Sequence, residues 1–143
     1  MANSRQKTRS EEMSTRKIKF TRKTIFVCVT GAHEGKIKDV RPETPPEDVA
    51  RGFWLVDDAK ANQCQVLAAV DKGIVTGVWE IDQSTKWQNA KFGEIPTRSA
   101  IDIDARRKYC EVKRVLKDCP IYGAHVSSIV GVGRMYGPVR YNF

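Results

Sequence analysis

The residues with the most chemical potential are a carboxylate–lysine pattern. Glu111-Val112-Lys113 has the Glu-x-Lys form used by one large class of metal-dependent nucleases, and Asp102 and Asp104 lie upstream in an apolar context. In such a site the carboxylates would hold Mg²⁺ while Lys113 stabilised or activated the attacking water. The same three residues also arise by chance in a charged chain, where they line a solvated strand face. His33 beside Glu34 suggests acid–base chemistry, but the pair sits in a Gly-flanked loop with no evident nucleophile. His125 with Ser127 and Ser128 has no triad order, and Gly131-Val132-Gly133 is too short for a nucleotide-binding fingerprint. Cys28, Cys64, Cys110 and Cys119 show no C-x-x-C spacing and His33 and His125 stand apart, so reduced structural thiols are expected and no zinc site. The sequence therefore assigns no catalytic residue, metal or cofactor.

Stacking and charge offer a second chemistry. Trp87 lies among lysines and amides in Lys86-Trp87-Gln88-Asn89-Ala90-Lys91. A surface indole there could stack on a base, with Lys86 and Lys91 near the phosphates. The alternative is that Trp87 covers one end of the core. Phe53 and Trp54 could line a pocket, although an aromatic pair ending an amphipathic helix more often belongs to the core.

The net charge of +8 is unevenly placed. Residues 1–23 carry eight basic side chains (Arg5, Lys7, Arg9, Arg16, Lys17, Lys19, Arg22, Lys23) against Glu11 and Glu12, a net +6, whereas residues 24–143 carry 17 basic and 15 acidic, a net +2. Such an arm reads as disordered until it meets a polyanion, to which it would add salt-dependent, sequence-independent affinity. Its other reading is a solubilising tail.

Elements must position these groups. Val66-Leu67-Ala68-Ala69-Val70, the turn residues Asp71-Lys72-Gly73, and Ile74 to Ile81 predict a hairpin at the centre of the core, because the first arm is apolar on both faces. Gly77 inside the second arm predicts a bulge, a bend or the close approach of another group. Thr24–Thr30 reads as a strand, and residues 32–46 as a loop. A helix is expected over about 45–54, started by Thr44 and the Pro45-Pro46 pair, with a helical turn possible within 57–62. Residues 99–104 alternate in a strand-like way. Residues 105–116 fit either a helix face or a strand with a charged outer face, and the strand is preferred. His125–Arg134 predicts a strand or short helix, and Pro138–Tyr141 a last strand returning to the sheet.

Taken together, Arg51–Trp54, Val66–Ile81, Trp87 and Gly137–Tyr141 resemble the small PUA-like β-barrels that include EVE, ASCH and YTH domains. The matching positions cover about half of the 143 residues. The resemblance implies a partly open barrel with helices packed between strands, and a pocket for RNA or a modified, extruded base held between aromatic side chains. Carried over, Trp54, Trp79 and Trp87 become candidate pocket walls. Residues 82–104 match no aromatic-cage motif, so the ligand's identity does not transfer.

The expectation is thus an α+β domain over residues 24–143, a small twisted PUA-like barrel with a few short helices, and a flexible basic arm over residues 1–23. Its expected work is non-enzymatic binding of DNA or RNA, with a modified or flipped base in an aromatic pocket. Lys86, Lys91, Arg134, Arg140, Arg16, Lys17, Lys19, Arg22 and Lys23 would contact phosphates. The alternatives are the Mg²⁺-dependent nuclease and a small phage-type inhibitor or adaptor of a host protein. No run approaches the roughly 18 apolar residues that span a bilayer, and the start lacks a secretory pattern, so a cytoplasmic location without membrane partners is expected.

Overall fold

The computed structural model describes residues 17–36, 40–90, 106–135 and 137–143. Their core is a five-stranded sheet of mixed direction. β1 (Thr24–Cys28) runs parallel to β2 (Val66–Asp71), β2 is antiparallel to β3 (Ile74–Ile81), β3 to β6 (Val112–Val115), and β7 (Val139–Tyr141) returns antiparallel to β1. The order is β6-β3-β2-β1-β7, which puts the predicted hairpin at the centre. A second, two-stranded ladder joins β4 (Gln88–Asn89) to β5 (Lys108–Tyr109). The architecture is mixed α+β. Among the described residues the edge strands β6 and β7 do not pair with each other.

The two arms of the hairpin meet at Lys72 and Gly73, with φ of 50° and 82°. Two consecutive positive φ values match the right-handed twist of the strands, and a glycine at the second position relieves half of the steric cost. Val66 to Val70 are all buried because the sheet is covered on both faces. On one face Ile25, Val27, Leu67, Ala69, Trp79 and Ile81 pack with Ala50, Trp54, Ala61, Cys64, Trp87 and Cys110. On the other, Phe26, Val66, Ala68, Val70, Val75 and Val78 pack with Ile121, Val126, Ile129 and Val132. Each large apolar side chain fully buried this way contributes about 1.5–3 kcal/mol.

A parallel pair needs a long crossover. Residues 29–65 supply it, and they carry α1 (Pro46–Ala50) and α2 (Asp58–Ala61) onto the first face. The helix predicted over 45–54 is shorter than expected and begins after Pro45, whose side chain cannot cap, and not at Thr44. Arg51 closes α1, and the Trp54 indole N–H donates to Ala50 O at 2.8 Å, satisfying a helix-end carbonyl. The Gly52–Phe53 peptide is cis. Trp54 then pairs with Lys108 through N–H···O bonds of 2.9 and 2.7 Å, which ties the crossover to β5.

Within residues 105–116, Lys108–Tyr109 and Val112–Val115 are strands, in line with the preferred reading, but they lie in different ladders, separated by Cys110 and Glu111. The second face is covered by the loop-rich stretch 116–135, whose regular element is a 3₁₀ turn at Val126–Ser128. The alternating residues 99–104 lie outside the described residues.

Candidate nucleic-acid interface

The three tryptophans expected as pocket walls do converge, but inside the core. Trp54, Trp79 and Trp87 are 6%, 5% and 5% exposed and belong to one cluster. Trp87 therefore follows the second of its two readings, covering the core, and is not a surface indole. Its backbone N–H donates to Asn62 Oδ1 at 2.9 Å, so the residue is drawn against the end of α2 while Lys86, Gln88 and Asn89 stay exposed. Its indole N–H is buried without a hydrogen-bond partner among the described residues, an energetically costly state for a donor. Phe53 is also core, meeting Tyr109 edge to face at 6.1 Å.

The basic residues sort into two groups around one strip. Composition predicts that residues 17–23 float, having too little apolar surface to bury. Instead Ile18 and Phe20 pack against the second-face cluster. The Ile18 N–H donates to Ser128 O at 2.6 Å, and Ile18 O accepts Val130 N–H at 2.9 Å. Asn142 clasps the other end: its side-chain amide donates to Phe20 O and Arg22 O at 3.1 and 3.0 Å, and its Oδ1 accepts Thr24 N–H at 2.9 Å. Arg16 and the rest of residues 1–16 lie outside the described residues. Asn142→Ala should lower stability by about 1–2 kcal/mol, since three modest hydrogen bonds disappear at a half-buried site. Chemical denaturation would measure this, with proteolysis near residue 20 accelerating in parallel.

This seating turns the strip's cations outward. Lys17 reaches Ser127 O at 2.8 Å, and Lys19 is exposed. Arg140 donates to Val132 O and Arg134 is exposed on the same 125–134 stretch, so Lys17, Arg134 and Arg140 gather along one cover segment. At the other end of the strip, Arg22 reaches Gln65 Oε1 at 3.2 Å and Glu80 at 3.9 Å, and Lys23 reaches Gln63 Oε1. Among the described residues Lys17, Lys19 and Lys23 have no carboxylate partner, which leaves their charge available to a polyanion. Lys86 is exposed beside Trp87, and Lys91 lies outside the described residues.

One group of residues here escapes a reading of the sequence, and a second does not. Lys60 of α2 and Phe143 come together with Lys23 and Tyr141, and only the fold joins positions so distant in the chain. Ile18 and Phe20, in contrast, carry a readable signal. Lys17-Ile18-Lys19-Phe20 alternates with period two, the pattern of an extended segment with one buried face.

The catalytic constellations do not assemble among the described residues. Glu111 is ion-paired with Arg51 at 3.3 Å, and Asp48 holds the same guanidinium at 2.9 Å. Burial works against the Arg51 charge, but these partners outweigh it and hold its pKa above the ordinary value. Asp102 and Asp104 lie outside the described residues, and among those described no group of three or more His, Cys, Asp or Glu could hold a metal. His125 Nδ1 sits 2.7 Å from Ser127 Oγ, yet it also accepts Ser127 N–H at 3.2 Å as the cap of the 3₁₀ turn. Burial pushes the Cys64 thiol up to about 12 and raises Cys110 as well, so both remain protonated packing groups without nucleophilic character.

Comparisons of this chain with family models, with curated proteins and with solved structures return no match.

Proposed function

We propose that this protein binds nucleic acid without altering it, using the seated strip 17–23 and the cations around it as a phosphate-contacting surface. The observation that carries this reading is the outward display of Lys17, Lys19 and Lys23, without carboxylate partners among the described residues, on a backbone clasped by Asn142 and Ile129. Fixed cations lose less entropy on meeting phosphates than cations on a loose arm, and their field raises the encounter rate. The finer part of the reading is a PUA-like barrel that takes up a modified or flipped base. In its support, Trp54, Trp79 and Trp87 share one cluster, and the Trp87 indole N–H is a buried donor without an acceptor among the described residues.

The test is fluorescence anisotropy with labelled single- and double-stranded DNA and RNA over a salt series, with and without Mg²⁺, followed by a gel of the recovered strand. Saturable, salt-sensitive binding with intact substrate is the expected result. Mg²⁺-dependent cleavage abolished by Glu111→Ala would transfer the reading to the nuclease. Absence of binding at low salt would overturn it in favour of a protein partner.

Two deletions divide the labour within the basic region. Removing residues 1–16 takes away Arg5, Lys7, Arg9 and Arg16 and keeps the residues that make the described contacts of the seated strip. The slope of log affinity against log salt should fall by up to about 3, at roughly 0.7–0.9 for each phosphate no longer neutralised. Removing residues 1–23 also strips Ile18 and Phe20 from the second face, and should cost about 1–3 kcal/mol of stability besides. Thermal melts of the two truncations separate the effects.

A further inference from the structure

Where the residues leading into β1 and the end of β7 meet α2, an aromatic ring lies open among ammonium groups. Phe143 is 39% exposed. Its ring is braced edge to face by Tyr141, with centroids 5.9 Å apart and planes at 70°. Tyr141 is itself fixed, since its phenol oxygen accepts Asp57 N–H at 3.0 Å. Burial, against the opposing effect of that hydrogen bond, raises the phenol's pKa and keeps it neutral. Lys23 Nζ stands 5.1 Å from the Phe143 centroid and Lys60 Nζ 6.0 Å, with Lys60 also 5.5 Å from the Tyr141 centroid. Arg22 and the amides of Gln63 and Gln65 flank the group.

A planar ring braced by a half-buried neighbour, with ammonium groups over it, matches one occupant: a base that takes their place on the ring and whose own phosphates lie within reach of the lysines. Lys60 Nζ also donates to the Phe143 carbonyl oxygen at 3.3 Å and Lys23 Nζ to Gln63 Oε1. Exposed ammonium–ring contacts are weak, of the order of 0.5–1 kcal/mol, so a base can displace them, and each ammonium keeps further N–H donors for phosphate oxygens. The ring offers a single stacking face, so it takes a base that is already unstacked.

We propose that Phe143 is a stacking platform for an unpaired base of single-stranded nucleic acid, with Lys23 and Lys60 binding the adjoining phosphates. This rests on the nucleic-acid reading above and gives it a strand preference. The platform is separate from the buried tryptophan cluster and reads no base identity, because every base offers a π-face.

The full chain should be titrated against fluorescein-labelled 15-mers of oligouridylate and oligodeoxythymidylate and against a blunt 15-base-pair duplex. Phe143→Ala is expected to weaken both single strands by about 5- to 30-fold and leave the duplex unchanged. Phe143→Trp should restore or exceed the original affinity. Lys60→Ala should lower the salt slope on single strands by about 0.7. Unchanged single-strand affinity in Phe143→Ala, or an equal loss on duplex, overturns the platform while leaving nucleic-acid binding in place. No binding by the unmutated chain at low salt overturns both. Photocrosslinking of the unmutated protein to a 5-iodouracil-containing 15-mer is independent of any folding defect. A crosslink mapped to Phe143 supports the platform, and crosslinks confined to other residues overturn it.

Discussion

Trp87→Ala is expected to lower the stability of the domain by about 3–5 kcal/mol, a large part of the 5–15 kcal/mol typical of a folded chain. The side chain is 5% exposed within the first-face cluster, so its removal leaves a cavity lined by groups that cannot collapse into it. Denaturant titration should show the midpoint falling without a compensating change in slope. Trp87→Phe should behave differently. It removes an indole N–H that has no partner among the described residues and whose burial is costly, and it keeps most of the apolar volume, so the two changes offset and the net loss should be about 1 kcal/mol or less. A loss from phenylalanine as large as from alanine would show that the indole N–H is paired after all. The pair of variants also bears on ligand binding. Weaker binding in Trp87→Ala can follow from a damaged core alone. A stably folded Trp87→Phe that loses affinity would mean that the ligand accepts a hydrogen bond from Nε1.

Why the sequence leaves Trp87 open between surface and core, while it places the central hairpin correctly, is a matter of how far each pattern extends. Residues 66–81 offer an uninterrupted apolar arm, a turn that tolerates positive φ and a second β-branched arm, all pointing to one structure. β4 is two residues long, too short to establish a period. Trp87 turns inward between Lys86 and Gln88, which stay in water, and the polar composition of its neighbours hides its own burial. Charge has the same masking effect in residues 17–23. The four cations there suggest a free arm, while Ile18 and Phe20 supply the anchoring that holds it down. The Phe143–Lys60–Lys23 group has no local signal, because its members are far apart in the chain. Within 108–115 the extended character is legible but the alternation is not kept: Tyr109 and Cys110 are both buried, and Val115 of the edge strand β6 is exposed.

Gly77→Ala is the substitution that should most directly expose how the first face is packed. The register shifts between Ala69 and Val70: Ala69 faces Gly77 and Val70 faces Val75, so Thr76 is the extra residue of a bulge. Two positions on, Trp79 points to the same face, and its indole lies back along the strand over Gly77. A β-carbon added there would overlap Trp79 Cη2 outright and stand 2.9 Å from Cζ3 and 3.0 Å from Cζ2. The glycine is required for space and not for a left-handed backbone, in contrast to Gly73 in the turn. Trp79 is 5% exposed, so the ring cannot swing into solvent without surrendering its burial. The expected cost is about 2–4 kcal/mol, from overpacking and from the forced change of rotamer. Trp79→Phe shortens the ring and should itself be destabilising. In the Gly77→Ala background it removes the overlap, so the double variant should be more stable than the sum of the single losses by about 1 kcal/mol or more. Strict additivity in that cycle would mean that the indole does not occupy the space above Gly77. A positive coupling ties the one glycine inside β3 to the tryptophan cluster that covers the sheet.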